Sequence, residues 1–166
     1  MAKKYTVTMA IPYVNAHPHI GHSIELLAAD TVARYHRLLG EEVRFVTGTD
    51  EHGLKVARAA EKAGVDPLSF ATQTGQKFKD WIKIFKATPD IFVRTTDPDH
   101  IKVAQEVWRR ADKNGDIEKR TYKASYCVGC EAVLTLTELT TAGLCCIHGT
   151  KPEIIEEENY FFKLSK

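Results

Sequence analysis

The sequence predicts an α/β fold in which parallel strands alternate with helices, followed by a smaller region that contains all four cysteines. Short apolar runs and longer helical patterns alternate from Tyr5 to Asn114, and this alternation is typical of parallel strands joined by crossover helices. After Gly115 the long helical patterns stop, and short extended runs take their place. We therefore expect two parts, residues 1–115 and residues 116–166.

The first strand and first helix follow from side-chain periodicity. Apolar residues alternate with threonine and alanine over Tyr5–Ile11, which predicts a strand, and a loop with two prolines comes next. A second strand is expected over Val43–Val46, after a helix that stops at Gly40. The residues that define the expected apolar face of that helix are Ile24, Leu27, Ala28, Thr31, Tyr35 and Leu38.

Cap signals place the remaining elements of the first part. Asp66-Pro67 and Asp97-Pro98 each pair a cap residue with proline at the first helical position. The elements expected from these signals are a helix over Leu54–Ala63, a helix from Pro67 to about Phe85, a strand over Ile91–Arg94 and a helix over Pro98–Asn114. Large residues expected in the core are Phe78, Trp81, Ile82, Phe85 and Trp108.

Composition excludes several classes of protein. Hydrophobic residues make up 43% of the chain and charged residues 27%, which is normal for a globular protein. Lys and Arg number 23 against 22 Asp and Glu, so composition alone does not support a basic nucleic-acid binder. No run approaches the roughly 20 apolar residues of a membrane span. Residues 1–6 lack the apolar core of a signal peptide, so we expect a cytoplasmic protein without membrane contact.

Paired cysteine and histidine residues predict a structural metal site in the second part. Two residues separate Cys127 from Cys130, and two separate Cys145 from His148. Two such knuckles supply four ligands, the closed tetrahedral shell of structural zinc. Only one residue separates Cys146 from His148, so we take Cys145 as the ligand. In a reducing compartment clustered cysteines favour metal binding over disulfides. We expect one zinc per chain, which stabilises a small subdomain without catalysing a reaction.

A histidine-rich loop between the first strand and the first helix predicts a phosphate-binding turn. Ligands of open α/β sheets bind beyond the carboxyl ends of the strands, and a helix N-terminus there offers N–H groups and a positive dipole end. His19 and His22 are three residues apart, and Gly21 between them lets a ligand approach the backbone. The loop lacks the Gly-Lys-Thr/Ser of a Walker motif and the glycine pattern of dinucleotide sites.

The polar cluster Asp50-Glu51-His52 follows the second strand and has two interpretations. A carboxylate at the end of a strand suits the ammonium group of a ligand. Alternatively, Asp50 caps the helix that begins near Gly53. The residues alone leave both interpretations open.

The segment Pro12–His22 resembles the His-Ile-Gly-His signature of class I aminoacyl-tRNA synthetases, including its upstream Pro-Tyr-x-Asn. Three further segments resemble the methionyl-tRNA synthetases among them, and they occur in the same order as in that family. These segments are Phe45–Lys55, Arg94–Pro98 and Glu157–Ser165. The resemblance covers the chain from Tyr5 to Lys166.

This resemblance implies the first half of a Rossmann-like parallel sheet with a small zinc-knuckle insertion subdomain. It also implies that methionine is activated with Mg-ATP to methionyl-adenylate and then transferred to tRNA. His19 and His22 would be catalytic, because they hold the ATP phosphates while negative charge develops. The full set implied for ATP is Asn15, His19, Gly21 and His22, and the set implied for methionine is Ile11, Tyr13 and Asp50.

The chain departs from the family pattern in its length. Neither the family's Lys-Met-Ser-Lys-Ser loop nor its helical anticodon-binding domain is found in residues 1–166. We therefore expect a catalytic fragment with little or no activity alone, which needs the C-terminal half of a synthetase or self-associates. One alternative is a non-catalytic module that binds ATP, RNA or a partner. Another is a synthetase for leucine, isoleucine, valine or cysteine, against which the segment Gly48–Lys55 argues.

Overall fold

The computed structural model describes residues 2–165, and the chain divides into two compact units after Lys102. The division expected near residue 116, from the change in sequence pattern, stays a prediction. No helix in the described part of the chain is both long enough and apolar enough to cross a membrane. In chain order the elements are β1 (Lys4–Thr8), α1 (Ile20–Leu38), β2 (Glu42–Thr49), α2 (Leu54–Ala63), α3 (Pro67–Ile84), β3 (Ile91–Arg94), α4 (Pro98–Lys113), β4 (Ile117–Cys127), β5 (Ala132–Leu134), a 3₁₀ turn (Leu136–Glu138) and β6 (Glu153–Phe162).

The first unit contains a parallel sheet with the strand order β1-β2-β3. Its register places Val7 opposite Phe45 and Val46 opposite Ile91. Helix α1 connects β1 to β2, and α2 with α3 connects β2 to β3, as parallel strands require. The predicted α/β fold with a parallel sheet is therefore confirmed. The predicted bounds of α2 and β3 agree with the structure to the residue, whereas β1 ends at Thr8 and β2 continues to Thr49.

Two apolar clusters stabilise this unit. The first lies between the sheet and α1, and its buried residues are Val7, Met9, Leu26, Ala29, Ala33 and Phe45. The second lies under α2 and α3 and consists of Val14, Val56, Ala71 and Phe78. Of the core residues predicted on α3 and just beyond it, Phe78 is buried, while Trp81, Ile82 and Phe85 pack half-buried against the first cluster.

The face of α1 that packs against the sheet differs from the expected one. Ile24, Tyr35 and Leu38 are 72%, 58% and 87% exposed. The buried residues are Ser23, Leu26, Ala29, Asp30 and Ala33. The two polar side chains among them tolerate burial because each has hydrogen-bond partners. Ser23 donates to a carbonyl of the preceding turn, and Asp30 accepts from Arg34 and from the loop before β3.

The second unit contains an antiparallel sheet with the strand order β5-β4-β6. Strands β4 and β6 form a long ribbon that pairs Ile117–Tyr126 with Glu153–Phe162, where the sequence indicated only short extended runs. The acidic run at residues 156–158 lies on β6. Lys119 and Lys123 on β4 form ion pairs with Glu158 and Glu156, respectively. Cross-strand pairs of opposite charge reduce the repulsion within such a run.

The prediction that Trp108 is a core residue is wrong. Helix α4 has no buried residue, and Trp108 is 48% exposed. Its ring meets the ring of Tyr160 edge-on, with 5.5 Å between the ring centroids. Trp108 is therefore a partly covered surface residue of α4.

Truncation of two neighbouring apolar residues on α1 tests which face is buried. Leu26→Ala removes a fully buried side chain and should lower the free energy of unfolding by about 2–5 kcal/mol. Ile24→Ala is the matched control and should change it by less than about 0.5 kcal/mol. Urea unfolding of both variants measures the difference. Equal losses would contradict the described orientation of α1.

Candidate active site and metal centre

The candidate active site lies where the chain leaves β1 and β2 at the same edge of the sheet. The main-chain N–H of Asp50 donates to the carbonyl of Pro12 over 2.9 Å, and the N–H of Val14 donates to the carbonyl of Asp50 over 3.2 Å. Tyr13 and Asp50 thereby form a parallel bridge beyond the last ladder pairs of the two strands. The structure thus brings together two of the three residues that the sequence analysis assigned to methionine.

The helix-cap interpretation of Asp50 is wrong. The N-cap of α2 is Gly53, and no side chain caps this helix. Gly53 has φ +112°, and a Cβ atom there would lie 2.0 Å from the Tyr13 hydroxyl oxygen. Only glycine fits this position, for both reasons. Asp50 is half-buried beside it, and Ile11, the third residue assigned to methionine, is exposed at 36%.

His19 and His22 both participate in the N-terminal cap of α1. Nδ1 of His19 accepts from the Gly21 N–H over 3.1 Å, and Nδ1 of His22 accepts from the His19 N–H over 3.2 Å. The two rings are in contact, with 3.9 Å between their centroids and 34° between their planes. Because Nδ1 accepts in both rings, the neutral tautomer carries its proton on Nε2. Each histidine therefore retains one N–H donor at the positive end of the helix dipole.

The surroundings of His22 favour its neutral form. Burial lowers the pKa of His22, and the neighbouring His19 lowers it further. The ring of His22 meets Phe78 edge-on at 5.3 Å between centroids, so α3 forms one wall beside the histidines. Gly21 leaves room for the His19 ring in this position, because a Cβ atom at residue 21 would lie 2.9 Å from that ring and displace it. Asn15, the other residue assigned to ATP, is exposed on the same loop.

A buried ion pair next to Asp50 was not predicted from the sequence. The side chain of Glu51 is 0% exposed and accepts from Nε and Nη2 of Arg94, each over 2.9 Å. Thr49 and Thr96 also donate to this carboxylate. Burial alone raises the pKa of Glu51, but the hydrogen bonds from Arg94 and the two threonines outweigh it and leave this pKa below its ordinary value.

The sequence contained both halves of this pair, but it gave no sign of their contact. Glu51 belongs to the polar cluster after β2, and Arg94 is the last residue of β3, at the start of the polar segment Arg94–Pro98. Adjacent parallel strands end at the same edge of a sheet. This general rule is the one basis on which a contact between Glu51 and Arg94 could have been predicted.

Four side chains of the second unit form the candidate metal centre. The ligand atoms of Cys127, Cys130, Cys145 and His148 all lie within 4.8 Å of one another. Sγ of Cys130 lies 3.6 Å from Sγ of Cys145, and Nδ1 of His148 lies 3.2–3.9 Å from the three sulfurs. A tetrahedral zinc with bonds of about 2.0–2.3 Å requires separations of about 3.6–3.8 Å. The spacing therefore fits a tetrahedral ion.

The backbone around the centre supports the same arrangement. The N–H of Cys130 donates to Sγ of Cys127, and this bond together with those from the Cys145 and Cys130 side chains lowers the pKa of the Cys127 thiol to about 6. Burial and the neighbouring thiols raise the pKa of Cys130 to about 12. Cys127 is therefore the cysteine of this pair that favours the thiolate, the form that binds a metal. At Gly129 a Cβ atom would lie 2.6 Å from the His148 ring, so the knuckle needs glycine. Cys146 is exposed and lies outside the cluster, as the spacing argument anticipated.

An α/β sheet with a histidine-capped crossover helix, followed by a Cys₃His cluster, has the features of a class I tRNA synthetase. The chain belongs to the family described as tRNA synthetases class I (M), whose model matches residues 5–145. The resemblance drawn from the four sequence motifs is therefore confirmed.

Individual relatives agree with this assignment. Methionine–tRNA ligase of Thermotoga maritima is 46% identical to the chain and is matched over 98% of it. The same ligase of Campylobacter jejuni is 42% identical over 96% of the chain. The structure of Mycobacterium tuberculosis methionyl-tRNA synthetase in complex with methionyl-adenylate matches with a TM-score of 0.93, at 43% identity over 98% of the chain.

The chain spans only part of these proteins. It covers 26% of each of the two ligases and 33% of the solved synthetase chain. Membership of the family is established, whereas the activity of a complete ligase is a proposal for this chain.

The ionisation of Glu51 predicts how stability depends on pH. Because the pKa of Glu51 in the folded chain lies below its ordinary value of 4.5, the ion pair stabilises the fold above that ordinary value. This contribution is lost as the pH falls through the lower, folded pKa. Glu51→Gln should therefore be less stable than the parent near neutral pH, and the difference should shrink below about pH 4.

Urea unfolding across this pH range measures the effect. Glu61→Gln, a change of the same kind at an exposed position of α2, should follow the parent curve within about 0.5 kcal/mol. A constant gap between the parent and Glu51→Gln at every pH would show that the Glu51 charge does not stabilise the fold.

Proposed function

We propose that this chain provides the ATP loop and the amino-acid carboxylate of the methionine-activating site in a methionine–tRNA ligase. The observation that carries the proposal is the bridge between Tyr13 and Asp50 beside the histidine-capped start of α1. It puts a carboxylate and a phosphate-binding helix terminus at one edge of the sheet. The names of the relatives, and the methionyl-adenylate in the complex of one of them, support the same reaction.

In the proposed reaction the methionine carboxylate attacks the α-phosphorus of Mg-ATP, and pyrophosphate leaves. Negative charge builds on the phosphoryl oxygens as the new P–O bond forms. His19 and His22 donate their Nε2 protons to these oxygens as hydrogen bonds, and the N-terminal end of α1 adds its dipole. Asn15 and Gly21 shape the nucleotide side of the same loop.

The amino-acid side of the proposed site uses the residues that follow β1 and β2. The carboxylate of Asp50 pairs with the ammonium group of methionine. Ile11 and Tyr13 contact the thioether, which is soft and polarisable and prefers apolar or aromatic walls. The methionyl group then passes from the adenylate to the terminal adenosine of tRNA, and AMP leaves. The proposed partners are methionine, ATP, tRNA and the C-terminal part of a synthetase; self-association is the alternative to that last partner.

We infer that the Cys₃His cluster holds one structural zinc ion. Three thiolates and one imidazole close a tetrahedral shell and leave no coordination position for substrate. The cluster joins the end of β4 to the turn that contains Cys145 and His148, so the ion would stabilise a region with a buried core of only Cys127, Leu134 and Cys145. Metal binding would supply folding free energy to a subdomain that buries so few apolar side chains.

Methionine-dependent exchange of labelled pyrophosphate into ATP tests the proposed reaction. The assay uses the complete protein that carries these residues, with methionine, leucine, isoleucine, valine and cysteine in separate reactions. Exchange with methionine alone is the expected result. ATP binding without exchange would favour the non-catalytic module, and exchange with another amino acid would contradict methionine specificity.

Removing either histidine should slow adenylate formation much more than it weakens methionine binding. His19→Ala and His22→Ala each remove one transition-state donor, which typically costs on the order of 3 kcal/mol. His19→Asn separates this effect from capping, because asparagine is a good N-cap residue but lacks the imidazole. Single-turnover adenylation measures the rates, and His100→Ala on α4 is the control. Adenylation within a few-fold of the parent rate would refute the assigned role.

Loss of one zinc ligand should release the metal. Cys130→Ser replaces a ligand thiolate and should abolish zinc binding, with looser structure from about residue 120 to residue 155. Cys146→Ser is the matched control, and it should retain one zinc per chain. Elemental analysis measures the metal, and limited proteolysis measures the loosening. Zinc loss in Cys146→Ser together with zinc retention in Cys130→Ser would show that the ligand assignment is wrong.

A further inference from the structure

We propose that the buried pair Glu51–Arg94 is a positioning pair for the methionine site, which holds the backbone of Asp50 in place. The inference rests on the function proposed above, in which Asp50 holds the ammonium group of methionine. Neither residue of the pair is assigned a contact with substrate, so its role would be exerted through Asp50.

The main chain on each side of Asp50 is fixed by contacts with the segment after β3. The N–H of Glu51 donates to the Thr95 hydroxyl over 2.9 Å, and the N–H of Thr95 donates to the carbonyl of Thr49 over 3.2 Å. Nε2 of His52 donates to the carbonyl of Thr95 over 3.2 Å. Asp50 itself is bonded through its main chain to the loop after β1. Its backbone is therefore held from both neighbouring strands.

The ion pair between Glu51 and Arg94 also restricts the chain next to Asp50. Four hydrogen bonds reach the Glu51 carboxylate, two from Arg94 and one each from Thr49 and Thr96. The planar guanidinium group of Arg94 forms two parallel hydrogen bonds with the carboxylate, which fixes the orientation of the two groups as well as the distance between them. Rotation of the Glu51 side chain would break several of these bonds at once, so the peptide between Asp50 and Glu51 has little freedom.

The same pair anchors α3, which forms the wall beside the histidines. Nη2 of Arg94 also donates to the Thr72 hydroxyl over 2.8 Å. At Gly75, one turn further along, a Cβ atom would lie 3.1 Å from the Glu51 carboxylate, so the helix approaches it closely. Phe78 follows on this helix and contacts the His22 ring. The pair thus connects the ends of β2 and β3 to α3.

Stability alone does not explain a buried ion pair at this point. Taking two charges out of water costs free energy, and well-packed apolar residues in the same place are often equally stable. What an ion pair adds is a defined direction. A defined direction matters for Asp50, the carboxylate proposed to bind the substrate, because a displacement of about 1 Å costs as much as 100-fold in rate.

Steady-state kinetics of pyrophosphate exchange test the proposal in the complete protein that carries these residues. Arg94→Met leaves Glu51 without its cation and should raise the KM for methionine about 10- to 100-fold. The KM for ATP should rise less, because the pair reaches the histidines only indirectly, through α3. Arg94→Lys keeps the charge but not the two-point geometry, so its KM for methionine should lie between those of the parent and Arg94→Met.

The matched control is Arg34→Met, which breaks another carboxylate–arginine pair of this unit, Asp30–Arg34, in which the carboxylate is buried and the arginine is half exposed. It should lower stability without changing either KM. An unchanged KM for methionine in Arg94→Met, an equal rise in both KM values, or the same shift in Arg34→Met would overturn the positioning role. If Arg94→Met does not fold, Arg94→Lys decides the question. Absence of methionine-dependent exchange in the parent would instead refute the proposed function, and the positioning role with it.

Discussion

Parallel pairing of β1 with β2 is the constraint on which the candidate active site depends. The ladder that sets Val7 opposite Phe45 continues past the strand ends to the bridge between Tyr13 and Asp50. Parallel strands leave the sheet at the same edge, so the loop before α1 and the loop before α2 begin side by side. The first loop contains the histidines and the second contains the carboxylate. An antiparallel pair would have placed these groups at opposite ends of the sheet.

Polar groups at this edge have structural contacts as well as their proposed chemical roles. His19 and His22 use Nδ1 to cap α1, and this contact fixes the tautomer that leaves Nε2–H as a donor. The caps thus orient the groups that the proposed reaction needs. Among the described residues, no buried side-chain nitrogen or oxygen lacks a hydrogen-bond partner. A buried polar group that is unpaired costs far more than a paired one, so complete pairing limits the cost of placing charges at this edge.

Local signals in the sequence were sufficient to predict a boundary wherever a single turn or cap determines where a helix begins or ends. Helix α2 ends at Ala63, where the C-cap Gly64 has a φ of +70° that favours glycine, and α3 begins after the Asp66 cap. Both boundaries were predictable because the deciding residues are neighbours in sequence. The knuckle spacing of Cys127, Cys130, Cys145 and His148 was informative for the same reason.

Features that depend on distant partners were not predictable in this way. The buried face of α1 includes Ser23 and Asp30, and burial of Asp30 depends on Thr88, 58 residues away. Contact between Glu51 and Arg94 joins residues 43 positions apart. Trp108 was expected in the core, but its exposure depends on what packs against α4, and the sequence pattern does not contain that information.

A crystal structure of the complete protein with a non-hydrolysable methionyl-adenylate analogue tests the central claim most directly. The account predicts the ligand ammonium within hydrogen-bond distance of the Asp50 carboxylate. It also predicts the phosphate group at the N-terminus of α1, next to Nε2 of His19 and His22. A ligand bound elsewhere, or one whose ammonium and phosphate groups contact neither Asp50 nor the histidines, would contradict the claim that the parallel edge of β1 and β2 is the active site.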